Sequence, residues 1–205
     1  IDKMVPGELP QNGGSCLLSA AFHPKDLGDG TEGIFDQEGH LLAKRPKNGL
    51  YFDECYNPLQ DAETPEDIDK NLTLPSISDY EMEWLRNRAK DIYENTDFCI
   101  SGATSTSLFE KGWKDWGMQT FMENLYCEPE LVEYYLDKMT DAYIVMMERY
   151  LDAVGDYVTV VQNNDDFGEQ RGMLLSPELY RKYFKPRHAK INAAIRKKKK
   201  DIHIS

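Results

Sequence analysis

Apolar residues fall first in short bursts separated by turn residues and then, from Pro58 onward, at helical spacing broken by brief apolar runs. The longest periodic stretch is Pro129 to Val154, where Val132, Tyr135, Leu136, Met139, Tyr143, Met146, Tyr150 and Val154 make one stripe of period near 3.6. It predicts an amphipathic helix opened by Pro129 and closed by Gly155. Tyr80 to Tyr93 carries Met82, Leu85, Ala89 and Ile92 at the same spacing behind a Ser78-Asp79 cap. Thr64-Pro65 and Ser176-Pro177 each set a capping hydroxyl before a proline that suits the first helical position, so both start helices. In the second, Tyr180, Phe184, Ile191 and Ile195 form the buried side, and Pro186 is expected to kink it.

Three segments read as strands between these helices. Phe98-Cys99-Ile100 is a buried strand opening into the loop "SGATS", "DYVTVVQ" is a β-branched run covered on both faces, and "DIHIS" begins another strand. Before them, "GIFDQEGHLLAKRPKNGLYFDE" predicts two hairpins turning at Glu38-Gly39 and Asn48-Gly49. Residues 1–57 thus form a hairpin-rich segment and residues 58–205 an α/β core, within one domain. Strand, long helix, strand, long helix, strand predicts a parallel sheet, and both a barrel and an open doubly wound sheet satisfy that order. No GxGxxG or GxxxxGK[ST] follows a strand, which counts against a nucleotide-binding open sheet.

Charge changes the picture locally. The net charge is −12, yet Arg181 to Lys200 holds ten Lys or Arg and no acid, leaving 14 basic against 36 acidic residues elsewhere. An acidic body repels phosphate backbones, so the basic segment reads as a solvated helix face rather than a nucleic-acid footprint. Lys197 to Lys200 at a helix end also suits the helix dipole. Cys16, Cys55, Cys99 and Cys127 show no metal-knuckle or disulfide-framework spacing, and reduced cytoplasmic thiols are expected. No apolar run is long enough to span a membrane.

Candidate chemistry follows from position. In parallel α/β folds the loops after the strands face the active site, which places Asp165 and Asp166, directly after "YVTVVQNN", as candidate catalytic residues. Paired carboxylates there bind a cation, orient an amine or hydroxyl, or raise one another's proton affinity. Gln170 and Arg171 add an amide and a guanidinium to the same loop. Gly102, Thr104, Ser105 and Thr106 offer close backbone approach and hydroxyls as substrate-binding groups, without a neighbouring base that would make a Ser nucleophile. His23, His40, His188 and His203 form no HExxH or HxH arrangement; His188 reads as structural, and His203 lies in the last strand.

The stretch "DDFGEQRGMLLSPELYRKYFKPRHAKI" resembles the uroporphyrinogen decarboxylase family, particularly its methyltransferase-like branch. The likeness continues upstream through "SGATSTSLFEKGWKDWGMQTFMENLYCEPELVEYYLDKM" and, less specifically, through "DQEGHLLAKRPKNGLYFDECYNPLQDAETPEDIDK". It implies a (β/α)8 TIM barrel, here incomplete because a full barrel takes about 250 residues. Members decarboxylate the acetate arms of a tetrapyrrole without a cofactor, or move a methyl group to or from a corrinoid on a partner protein, often with zinc. The decarboxylase's arginine-rich loop and cleft aspartate find no counterpart, so methyl transfer is the leading expectation and tetrapyrrole decarboxylation the alternative. A non-catalytic partial barrel that binds a small molecule or partner is the third reading. Of the zinc ligands, a His and two Cys, the resemblance offers only His203, with the others expected beyond Ser205. An incomplete barrel also leaves sheet edges that favour homo-oligomers.

Overall fold

The computed structural model describes residues 24–36 and 39–205. Its first unit is an antiparallel sheet of β1 (Lys25–Asp26), β2 (Glu32–Phe35), β3 (Leu41–Arg45) and β4 (Asp53–Glu54), in that order. Both expected hairpins are present, as β2 with β3 and β3 with β4. Glu38 of the first turn lies outside the described residues, as do Cys16 and His23. Gly39 holds a φ of 92°, a left-handed conformation glycine adopts without penalty. The second turn comes slightly early, since the Gly49 N–H donates to the Pro46 carbonyl at 2.7 Å.

Helices α1 (Pro65–Asn71) and α2 (Asp79–Asn95) begin where their caps predict. Thr64 and Asp67 exchange side-chain and backbone hydrogen bonds in a capping box, and Ser78 and Glu81 do the same. These devices satisfy donors that the first helical turn leaves free, and they act within a few residues of sequence.

The next strand departs from expectation. β5 is Ser101–Ser105, not Phe98 to Ile100, and Phe98 is 78% exposed. Inter-strand hydrogen bonding sets its position: Ser101 to Ser105 pair residue by residue with Val160 to Asn164 of β6 (Val160–Asn164). The segment expected as a loop is therefore the strand itself. Its glycine is dictated by packing, because a Cβ on Gly102 would stand 2.1 Å from the Tyr150 hydroxyl.

Helices α3 (Leu108–Trp116) and α4 (Met118–Cys127) follow, hinged at Gly117, and α5 spans Pro129–Val154 as predicted. α5 packs against α1, α2, α3 and α4 and carries the centre of the core, with Tyr135, Leu136, Met139 and Met147 fully buried. Gly155 closes it in a right-handed conformation, where a Cβ would meet the Leu151 carbonyl at 2.5 Å. Close approach, rather than a positive φ, is the reason for glycine there.

Beyond β6, a small hairpin of β7 (Gly168–Glu169) and β8 (Gly172–Met173) leads into the short turn α6 (Pro177–Leu179). A π-helical turn, Tyr180–Phe184, then joins α7 (Lys185–Lys198). The kink expected at Pro186 takes this form. A proline ring crowds the carbonyl four residues back, and widening the preceding turn relieves the clash. The chain finishes in β9 (His203–Ile204), which pairs parallel with β6, giving a parallel sheet in the order β5, β6, β9.

The basic α7 lies on α5 and finds acids there and just beyond: Arg187 and Lys190 face Asp137, Lys198 reaches Asp152 at 2.7 Å, and Lys199 pairs with Asp156. The basic face is largely solvent-exposed, as expected, with ion pairs along its α5 side. Cys55, Cys99 and Cys127 are free thiols on the surface. Among the described residues no helix is long and apolar enough to cross a membrane.

Candidate functional site

The three parallel strands end side by side near Ser105, Asn164 and Ser205. β6 continues into Asp165, whose side chain is only 3% exposed. Its carboxylate accepts the backbone N–H of Leu108 at 3.0 Å, of Phe109 at 2.9 Å and of Glu110 at 3.1 Å. These are the first three donors of α3, which have no partner within the helix. Ser107, at the N-cap position, makes no capping hydrogen bond with its side chain. An aspartate 57 residues away in sequence therefore caps α3 and places a negative charge at the positive end of its dipole.

The same carboxylate faces His188 Nε2 at 3.1 Å. A carboxylate accepting backbone N–H bonds offers only lone pairs, so Nε2 is the ring nitrogen that carries hydrogen. One helical turn further on, Asn192 Oδ1 accepts from Asn163 Nδ2 at 2.8 Å, and Asn163 Oδ1 accepts the Thr106 hydroxyl. The two contacts form a ladder. Residues four apart on a helix rise by about 6.0 Å and residues two apart on a strand by about 6.6 Å, so His188 and Asn192 match Asp165 and Asn163 on the antiparallel-running β6.

Asn163, Asp165, Phe167, Met173, Tyr180 and His188 line a cavity of about 310 Å³ at this edge. Phe167 forms its aromatic wall, stacked on Phe109 at 5.1 Å and edge-on to Tyr180 at 5.3 Å and His188 at 5.8 Å. Beneath it the Tyr143 hydroxyl donates to the Ser107 carbonyl at 3.1 Å, and burial, with the nearby charges of Asp115 and Asp165, pushes that phenol well above its ordinary range. Asp115 is a buried acid the sequence reading passed over. It pairs with Lys111 and accepts from Tyr135 at 2.7 Å, and burial pushes its carboxyl up.

The expected site residues separate. Asp165 holds His188, and Thr106 and Asn192 hold Asn163, at the same edge of the sheet, whereas Asp166 is exposed and accepts the Gly168 N–H at 3.1 Å in its own loop. The two aspartates thus share no partner. Gly102 faces Tyr150, and Thr104 and Ser105 lie within β5, their backbones paired with Asn163 and Asn164. Gln170 and Arg171 are exposed at the tip between β7 and β8, and neither lines the cavity. His203 is an exposed residue of β9 paired with Val160. His188, read as structural, hydrogen-bonds Asp165 and also lines the cavity. Its four-residue spacing from Asn192, set against Asn163 and Asp165 two apart, was the available signal.

Comparison with known proteins decides the family. The family model for uroporphyrinogen decarboxylase (URO-D) matches residues 47–205. The chain belongs to the uroporphyrinogen decarboxylase family. No curated protein matches significantly. Among solved structures, a methyltransferase from Methanosarcina mazei is similar, with a TM-score of 0.50 and 18% identity over 70% of this chain and 40% of that one. At that identity the likeness concerns the fold, a mixed α/β arrangement in keeping with the TIM barrel of the uroporphyrinogen decarboxylase family. The chain spans about 40% of the length of the methyltransferase it matches.

Proposed function

We propose that this chain forms part of the substrate cleft of a methyltransferase in the uroporphyrinogen decarboxylase family, acting with a corrinoid on a partner protein. In this reading β5, β6 and β9 are strands of a (β/α)8 barrel, and the cavity at their carboxyl ends is the position where that fold binds substrates. The observation that carries it is the lining of the cavity: one histidine held by a carboxylate, an amide and an apolar aromatic wall, with no Lys or Arg among the described residues. A tetrapyrrole bearing several carboxylates calls for cations along such a wall. The cavity, about 310 Å³, is also at the small end of ligand pockets. Both features favour a compact uncharged or singly charged substrate.

A corrinoid supplies or receives the methyl group; the chain's own residues shape and orient what meets it. Asp165 fixes both the start of α3 and the His188 ring, Asn163 is fixed in turn by Thr106 and Asn192, and Phe167 and Tyr180 exclude water from one side. Such positioning lowers the entropy cost of bringing reacting atoms together. Zinc is a different matter. Among the described residues no three His, Cys, Asp or Glu converge, and His203 stands exposed on β9. These residues do not make a zinc site on their own, and no step is assigned through one.

The test is methyl transfer itself. Protein is mixed with methylcobalamin and a small thiol, with the cobalamin spectrum followed and the thioether identified by mass spectrometry. Transfer above the protein-free rate supports the reading. Absence of transfer sinks it, and release of carbon dioxide from uroporphyrinogen would install the decarboxylase in its place.

A further inference from the structure

The outer faces of α5 and α7 carry charges beyond those joined in their seam. α7 lies along α5 in the same direction, since Arg187 faces Asp137 near one end and Lys198 faces Asp152 near the other. On the exposed side of α7, Pro186, Ala189 and Ala193 form a strip without long side chains. Lys185 and Arg196 flank it on one side, Lys190 and Lys197 on the other. Lys185, Arg196 and Lys197 hold no ion pair among the described residues. On the outer side of α5, Asp141, Val145 and Glu148 follow one another at helical spacing, with Val145 58% exposed and both acids likewise without an ion pair among the described residues. Val145 stands about halfway between Asp137 and Asp152, and Ala193 about halfway between Arg187 and Lys198, so the two are level across the seam.

We propose that this α5–α7 face binds a second copy of the chain as a homodimer. A two-fold axis running along the helices turns the second copy face to face with the first, sets α5 of each over α7 of the other and keeps every residue at its own level. Val145 then rests on the strip around Ala193, where the lack of long side chains lets the helices approach. Asp141 and Glu148 reach Lys190, Arg196 and Lys197 of the second copy, and each contact occurs twice. The same pattern selects this occupant. A nucleic acid or an anionic membrane drawn to α7 would meet Asp137, Asp141 and Asp152 directly beside it. A surface with acids opposite these cations and cations opposite these acids is this face turned over. None of the residues lining the cavity takes part. α7, with 14 residues, is about 21 Å long and a helix pair about 20 Å wide, so the two copies together bury roughly 800 Å². Stable interfaces bury about 1,200 Å² or more, which makes this a reversible, salt-sensitive dimer.

Sedimentation velocity of the full chain tests it. At about 20 mM salt the wild type is expected to pass from monomer to dimer as its concentration rises to about 200 µM, and about 500 mM salt is expected to weaken the association at least tenfold. Two charge-reversed variants follow, one with Asp141→Lys and Glu148→Lys, the other with Arg196→Glu and Lys197→Glu. Each alone is expected to stay monomeric, because like charges then face one another in both contacts. Mixed together they are expected to regain the dimer, since each reversed face meets its complement. Far-ultraviolet dichroism confirms that both variants are folded before they are mixed. A wild type still monomeric at the highest concentration, a dimer that survives either reversal as an association through the sheet edges would, or a mixture of folded variants that stays monomeric overturns the proposal.

Discussion

Replacing Asp165 by alanine removes the acceptor for three backbone donors at once. Leu108 and Phe109 are completely buried, so their N–H groups cannot turn to water. A buried donor left unsatisfied costs about 1–3 kcal/mol, and the lost charge at the start of α3 adds about 0.3–1 kcal/mol. For the two buried donors together these give a destabilisation of roughly 2–7 kcal/mol, a large part of the roughly 5–15 kcal/mol typical of a domain. Asp165→Asn keeps one acceptor oxygen and is expected to lose about 1–2 kcal/mol. Asp166→Asn serves as the control. It alters one exposed hydrogen bond within its own loop, and the expected change is below about 0.5 kcal/mol. Urea unfolding followed by tryptophan fluorescence and far-ultraviolet dichroism gives all three values. If Asp165→Ala lost less than about 1 kcal/mol, or no more than Asp166→Asn, the cap described here would be wrong.

Gly102→Ala is expected to destabilise by about 1–3 kcal/mol through collision with the Tyr150 hydroxyl, and Tyr150→Phe in the same chain should restore most of the loss. Independent, additive effects in that double-mutant cycle would refute the contact. Tyr150 also sets an alkaline limit. Burial pushes its phenol up to about 12 from an ordinary value of 10, so between those values the unfolded chain sheds a proton that the folded chain keeps. Its contribution, at most about 2.7 kcal/mol, is complete below pH 10 and lost as pH rises toward 12. Unfolding free energies across that range should fall less steeply for Tyr150→Phe; parallel curves would contradict the assignment.

The parts of the fold legible in the sequence are those decided by near neighbours. Thr64 with Asp67 and Ser78 with Glu81 complete their caps within three residues, and the stripe from Val132 to Val154 repeats a single local period. β5 was misplaced because its partner is 59 residues away, as in the pairing of Ser101 with Val160, and small residues next to a large ring look like a loop when the ring is unseen. Position after a strand pointed to Asp165 but gave no sign that it caps α3. Helix capping from a distant residue leaves no periodicity, and His188 gains its meaning only from the register of α7 on β6. The paired aspartates looked alike in sequence, yet burial separates them.

The most direct test of the account is methyl transfer from methylcobalamin to a small thiol by wild-type protein and by His188→Gln, compared at equal folded fraction. The wild type is expected to exceed the uncatalysed rate, with the variant slower by roughly 100-fold, the scale of loss when bound reactants are displaced by about 1 Å. Transfer by the variant at the wild-type rate, or no transfer by the wild type, would contradict the claim that this cavity is the site of the chemistry.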